Sequence, residues 1–157
     1  MNIETRSNSK FQLKIEKQQI KELEKELNVS DLGNESYIYF RGDGDSKIKP
    51  DIYSDQHHII GEVYTHLGKL KSAQMHKVAS DIFKMVMFNE DSGSKYKMYY
   101  VVCDKDAQES MMRNSIIKNA VRLYKLNIIC YELSESDKYT LQKTMRNQDI
   151  TRTPSDG

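Results

Sequence analysis

The chain has few of the features that mark secreted, membrane-spanning or zinc-binding proteins. It contains only two cysteines, and no apolar run approaches the roughly 20 residues that a transmembrane helix needs. Cys103 and Cys130 lie in apolar runs without a Cys or His partner at zinc-ligand spacing, so we expect reduced core residues. The first residues, MNIETRSNSK, lack an apolar signal-peptide core, which favours a cytoplasmic protein with no membrane partner.

The charge balance leaves the function open. Lys and Arg number 24 against 23 Asp and Glu, so the net charge is +1 and any DNA-binding surface has to be a local patch. Neither a glycine-rich nucleotide loop nor a nucleophile elbow is present in the sequence. With 157 residues, 38% of them hydrophobic, the chain has the size and composition of one globular domain.

The hydrophobic pattern predicts an α/β fold in the order α-β-β-β-α-β-α-β-α, with a mixed central sheet and helices on both faces. Residues 1–9 are expected to form a flexible N-terminus, 10–146 a single domain and 147–157 a disordered tail. The predicted elements are a helix at 10–27, strands at 36–40, 48–54 and 58–65, a helix at 72–88, a strand at 98–103, a helix from about 106 to 124, a strand at 127–133 and a helix ending near 146.

Two acidic residues stand out in the predicted meander of three strands. Asp51 follows Pro50 on the second strand, and Glu62 lies inside the third. An unpaired acid in an apolar strand is costly, whereas carboxylates on neighbouring strands suit a divalent metal. A hairpin turn at 55–57 would bring the two acids opposite each other if the register puts them on one face. The alternatives are a turn or strand end for Asp51 and a buried pair with a lysine for Glu62.

Pro50-Asp51 followed by Glu62-Val63 resembles the motif of the PD-(D/E)XK nuclease superfamily. The α-β-β-β-α-β order over about residues 10–133 resembles the core of the same superfamily. The resemblance implies a restriction-endonuclease-like fold and a nuclease that hydrolyses DNA with Mg²⁺, or with Mn²⁺ in its place. It also implies that Asp51 and Glu62 hold the metal, with the carbonyl of Val63 as a third ligand.

One position departs from the motif, because Tyr64 stands where the family has a lysine. That lysine orients or deprotonates the attacking water and stabilises charge on the phosphate, which a neutral tyrosine cannot do. Either catalysis is impaired or a lysine from elsewhere supplies the charge. Lys77 is the first candidate and Lys71 the second, and Gln74 shares a face of the predicted helix with Lys77.

The resemblance implies further contacts around this centre. Some members add a carboxylate from the first helix, which here would be Glu22 or Glu26, with nothing to select between them. We expect nucleic acid to be contacted by four residues: Lys69, Lys71, Lys84 and Tyr64. The alternatives are a solvated helix face for the lysines and core packing for the tyrosine.

The resulting hypothesis is an Mg²⁺-dependent endonuclease of a bacterial restriction, repair or mobile-element system. A chain of this size has little room for a target-recognition domain, so a homodimer or a partner protein would assist duplex cleavage. The alternative is a catalytically inactive nuclease-like domain that binds nucleic acid or serves protein assembly.

Overall fold

The protein, seen in a computed structural model, is described over residues 3–151, with side chains described over 9–146. Helices and strands alternate along this range in the manner of an α/β fold. The elements are α1 Ile3–Leu27, β1 Ile38–Tyr39, β2 Lys47–Ile48, β3 Ile52–Ser54, β4 Ile59–Tyr64, α2 Ser72–Asp91, β5 Lys97–Val102, α3 Lys105–Arg113, α4 Ser115–Tyr124, β6 Asn127–Cys130 and α5 Glu135–Thr151.

The central sheet contains four strands in the order β3-β4-β5-β6. Strand β3 runs antiparallel to β4, whereas β4, β5 and β6 run parallel to one another. Parallel neighbours need crossover connections, which α2 and the α3–α4 pair provide. Strands β1 and β2 form a separate antiparallel hairpin. The prediction of an α/β fold with a mixed sheet is therefore confirmed.

Helices cover both faces of the sheet, as the sequence predicts. On one face, sheet residues such as Ile60 and Tyr100 pack against residues of α2, α3 and α4, among them Val78, Met111 and Ile117. On the other face, Val63, Tyr99 and Val101 pack against Ile20 and Leu23 of α1. Burial of these two apolar layers is the main favourable contribution to the stability of the fold.

Two predicted elements are interrupted in the structure. Pro50 and Asp51 separate β2 from β3, because proline has no N–H to donate to a strand ladder. The single helix predicted up to residue 124 is wrong, since α3 and α4 are separated at Asn114. The Asn114 side chain caps α4 by accepting hydrogen bonds from the N–H groups of Ile116 (3.0 Å) and Ile117 (3.1 Å).

The outer helices are longer than predicted. Helix α1 begins at Ile3 and α5 continues to Thr151. The flexible N-terminus predicted at 1–9 and the disordered tail predicted at 147–157 reach beyond the described residues, and both stay predictions. Within the described part of the chain, no helix combines the length and apolar character needed to cross a membrane.

Gly61 allows the strands around the candidate site to approach closely. A Cβ atom at this position would lie 2.7 Å from the carbonyl oxygen of Tyr99 and 3.3 Å from Cδ1 of Ile52. The first distance is shorter than real Cβ contacts permit, so a side chain at this position would force β4 and β5 apart. Since Glu62 is the next residue, this close packing also fixes the strand that carries the candidate site.

Candidate active site

The register of β3 and β4 brings the two predicted acids together. Ile52 pairs with Gly61, so the preceding residue, Asp51, lies opposite Glu62. The N–H of Asp51 donates a hydrogen bond to Oε2 of Glu62 at 3.3 Å. The N–H of Val63 donates to Oδ2 of Asp51 at 2.9 Å. The acids are therefore neighbours, while metal binding by their carboxylates and by the Val63 carbonyl stays a prediction.

A third carboxyl group comes from α1, and it belongs to Glu16. This side chain is half-buried and hydrogen-bonded to the side chain of Asp51. The two glutamates expected from the sequence lie elsewhere, so that expectation is wrong. Glu22 forms an exposed ion pair within α1, and Glu26 accepts a hydrogen bond from the Tyr131 hydroxyl.

The sequence contains a signal that selects Glu16. Residues four, seven and eleven positions later are Ile20, Leu23 and Leu27, which form the apolar stripe of α1. At 3.6 residues per turn, Glu16 lies in line with this stripe, whereas positions 22 and 26 lie about 80–120° around the helix. An acid inside an apolar stripe marks a carboxylate that faces the protein.

Burial and proximity raise the pKa of two carboxyl groups. Burial, followed by the hydrogen bond and the charge of Asp51, raises the pKa of Glu62 to about 10, and Asp81 adds to the effect. Burial and then the charge of Asp51 raise the pKa of Glu16 to about 7, against the opposing charges of Lys17 and Lys77. Burial and the proximity of Asp51 both favour the protonated form of Glu62 near neutral pH. Any cation placed among these groups would be favoured, because it would relieve their mutual repulsion.

Helix α2 contributes a charged row of Lys77, Asp81 and Lys84 to the same side of the sheet. The Nζ of Lys77 lies 2.9 Å from Oδ2 of Asp81, and the Tyr100 hydroxyl donates to the same oxygen at 3.1 Å. Tyr100 is the β5 partner of Glu62, which places Asp81 across from Glu62. The Lys77 side chain is 59% exposed, and its charge acts on the carboxyl group of Glu16.

Other residues expected at the site lie at the start of α2. The N–H of Lys71 donates to Oε1 of Gln74 at 2.9 Å, so the Gln74 amide serves as a helix cap. Lys71 precedes Lys77 by six positions, which is about 9 Å along a helix axis. Lys69 is exposed in the turn before the helix. Like Lys77, none of these three residues lines the cavity at Glu62.

Tyr64 is a core residue. Its side chain is 1% exposed, and burial raises its pKa well above the ordinary value. Among the described residues its hydroxyl has no hydrogen-bond partner. Tyr64 therefore offers no surface to a nucleic-acid base, and the expectation that it contacts nucleic acid is wrong. Tyr64 instead packs in the core, which is the alternative expectation.

A cavity of about 360 Å³ opens beside the carboxyl groups, between α2 and the β1–β2 hairpin. Four basic or aromatic residues line it, of which Lys84 is expected from the sequence and Tyr37, Lys47 and Lys49 are not. The other lining residues are Ile48, Pro50, Ile60, Glu62, Asp81 and Met85. The carboxyl groups of the site thus adjoin a basic and aromatic surface.

The donor chemistry of the site fits a hard divalent cation. Carboxyl oxygens converge from α1, from the residue before β3 and from β4, and they are the ligand type that Mg²⁺ and Mn²⁺ prefer. As the side chains stand within residues 9–146, no group of three or more His, Cys, Asp or Glu is arranged to hold a metal ion. Metal binding would therefore require the protons between the carboxyl groups to leave and the side chains to rotate.

No protein-family model, curated protein or solved structure matches this chain. The fold and the site define an α/β protein with a carboxyl cluster beside its mixed sheet. The resemblance to PD-(D/E)XK nucleases rests on the motif residues and on the order of the elements along the chain.

Proposed function

We propose that this chain is a metal-dependent nuclease of the PD-(D/E)XK type, with a restriction-endonuclease-like fold, which hydrolyses phosphodiester bonds of DNA. The observation that carries the proposal is that Glu16 of α1 and Glu62 of β4 both lie beside the side chain of Asp51. Carboxyl groups held together at the expense of raised pKa values are unfavourable in themselves. A divalent cation would relieve that repulsion, which gives the arrangement a functional reason.

Hydrolysis of a phosphodiester requires an activated water and a positive group near the phosphate. A divalent cation held by the carboxylates would supply Lewis acidity and make a bound water more acidic. The attacking water forms a new P–O bond and gives its proton to a carboxylate of the cluster, while the opposite P–O bond breaks. The ammonium of Lys77 would stabilise the negative charge on the phosphate, in place of the lysine that position 64 lacks.

The test is cleavage of plasmid and single-stranded circular DNA with Mg²⁺ or Mn²⁺. We expect Asp51→Asn and Glu62→Gln each to lower the rate by at least about 10²-fold, the scale of losing one charge-stabilising group. Glu16→Gln should also lower it, whereas Glu22→Gln is the matched control on the exposed side of the same helix. Far-UV circular dichroism verifies that the variants are folded. Cleavage that survives the first two substitutions would refute the proposal.

The relocated lysine is tested in the same assay. Lys77→Ala is expected to lower the rate by about 10²- to 10³-fold, because its ammonium lies beside the site. Lys71→Ala is the matched control: it removes a lysine at the N-cap of α2, six positions before Lys77, whose charge acts on Glu16. If Lys71→Ala lowers the rate and Lys77→Ala does not, Lys71 supplies the positive charge near the phosphate.

A second candidate is a nuclease-like domain without catalysis, which binds nucleic acid or serves protein assembly. It is favoured by the buried Tyr64 at the position of the motif lysine. Titration with Mn²⁺ in a calorimeter separates the candidates. Neither heat nor cleavage, in a folded protein, would favour the inactive module. If cleavage of both strands of a duplex is observed, sedimentation will show whether two copies act together.

A further inference from the structure

The β1–β2 hairpin forms one wall of the cavity, and its inner side packs against the hydrophobic core. Alternation along its strands separates inward from outward side chains. The inward residues, packed against the core under α2, are Ile38, Phe40 and Ile48. The outward residues are exposed: Tyr37, Tyr39, Lys47 and Lys49. The hairpin therefore presents aromatic and basic side chains on a fixed support.

Three lysines of the cavity wall are available to an anionic ligand. Among the described residues, Lys47, Lys49 and Lys84 have no carboxylate within ion-pair distance. Lys77 differs, because it is bound to Asp81. Lysines without a carboxylate partner can neutralise phosphates and release their counterions.

Tyr37 combines exposure with a cationic environment. The Nζ atoms of Lys47 and Lys49 lie 4.4 and 5.6 Å from the centre of its ring, and the residue is 53% exposed. Tyr39 is equally exposed at 55% but does not line the cavity. An exposed ring flanked by ammonium groups is the combination by which proteins hold unpaired strands, with a base on the ring and phosphates on the cations.

Stacking on Tyr37 selects an unpaired strand over a duplex. A base inside a duplex has both faces covered by its neighbours, whereas an unpaired base can turn onto the ring. The cavity, at about 360 Å³, has the size of a small-molecule pocket and fits one nucleotide rather than a double helix.

We infer that this cavity binds a single-stranded nucleic-acid segment, with a base stacked on Tyr37 and the adjacent phosphates on Lys47, Lys49 and Lys84. The bound strand passes beside Glu62 and Asp81. The inference deepens the proposed function and rests on it for what happens to the strand at the carboxyl groups. Binding itself depends on Tyr37 and the lysines.

The first experiment measures affinity without catalysis. Fluorescently labelled oligo(dT) and oligo(rU) of about 12 nucleotides, and a duplex of the same length, are titrated by anisotropy in EDTA. We expect a single strand to bind more tightly than the duplex. Tyr37→Ala should weaken binding about 5- to 150-fold and Tyr37→Phe should retain it, while Tyr39→Ala, at an equally exposed tyrosine two residues later, is the matched control.

The second experiment observes stacking directly. The chain contains no tryptophan, so Tyr37→Trp introduces a single tryptophan, which can be excited selectively, into the cavity. Oligo(dT) or oligo(rU) should quench it, and should not quench Tyr39→Trp. Lys47→Gln and Lys49→Gln should each reduce the slope of log affinity against log salt by about 0.7, the value for one phosphate contact to a single strand. Lys118→Gln, an exposed lysine on α4, should leave the slope unchanged.

Failure of the inference and failure of the proposed function can be told apart. Equal affinity for single strand and duplex, or Tyr37→Ala that lowers thermal stability without changing affinity, would overturn the inference while leaving cleavage untouched. Tyr37-dependent binding without cleavage would support the inference and count against the nuclease.

Discussion

Replacing Glu62 with glutamine is expected to stabilise the metal-free protein, and to do so more at pH 8 than at pH 6. Burial, followed by the hydrogen bond and charge of Asp51, raises the pKa of Glu62 from 4.5 to about 10. Between these values the folded protein keeps a proton that the unfolded chain releases. The contribution of this proton to the free energy of unfolding is fully present below pH 4.5. It is lost as the pH rises through the pKa of Glu62 in the folded protein. Glutamine has the same shape and does not titrate, so it removes this loss.

The size of the effect follows from the linkage between proton binding and folding. Each pH unit between the two pKa values removes up to about 1.4 kcal/mol from the free energy of unfolding. Between pH 6 and pH 8 the upper bound is therefore about 2.7 kcal/mol. We expect about 1–2 kcal/mol, because Glu62 is partly exposed and water screens some of the interaction. The total free energy of unfolding of a domain is about 5–15 kcal/mol, so a change of this size is measurable.

Urea titrations in EDTA at the two pH values, followed by circular dichroism, give the free energy of unfolding of each variant. The difference between Glu62→Gln and the wild type should grow from pH 6 to pH 8. Glu22→Gln, at an exposed position, should follow the wild type at both values. A difference that is the same at both pH values would mean that Glu62 is ionised in the folded protein, and the electrostatic argument for the site would be refuted.

Three further perturbations test other parts of the structure. Mn²⁺ affinity should rise from pH 6 to pH 8, by up to about tenfold per pH unit for each proton released. Calorimetry in buffers of different ionisation enthalpy counts the released protons. Binding without proton release would contradict the raised pKa values of the carboxyl groups. Gly61→Ala should lower stability by about 1–3 kcal/mol in urea titrations, because its Cβ would meet the Tyr99 carbonyl oxygen at 2.7 Å, whereas Gly44→Ala, with nothing within 4 Å, should be tolerated. Tyr64→Phe should raise the melting temperature, because it removes a buried hydroxyl that has no hydrogen-bond partner in the described structure, with a gain in stability of about 1 kcal/mol. Tyr100→Phe should lower the melting temperature, because the Tyr100 hydroxyl donates a hydrogen bond to Asp81.

The parts of the site that the sequence predicts are those set by local structure. Asp51 and Glu62 lie on either side of a short hairpin, and the register of β3 and β4 follows from the turn and from strand alternation. The buried strand β5 and the apolar faces of α1 and α2 follow from periodicity in the same way. These features depend on interactions between residues close in sequence.

The parts that the sequence does not predict depend on how distant elements pack. Glu16 meets Asp51 because α1 lies on one face of the sheet, and Asp81 meets Tyr100 because α2 lies on the other. Helical spacing places each acid on a stripe or at its edge, but it does not say which strand that stripe will cover. The cavity lined by Lys47 is even less predictable from the sequence, because it forms only when the β1–β2 hairpin lies over α2.

Packing also explains why a charge at position 64 would be unfavourable and why a charge on α2 would cost less. Glu62 and Tyr64 alternate onto the same face of β4, and α2 covers that face so fully that Tyr64 is 1% exposed. A lysine at position 64 would have to bury its ammonium under α2, at a cost of several kcal/mol unless it were paired. Val78, beside Lys77 on the covering helix, belongs to the same buried cluster as Tyr64, while Lys77 itself remains 59% exposed. A cation on α2 therefore approaches the carboxyl groups from the solvent side without desolvation, which a cation on β4 could not do in this fold.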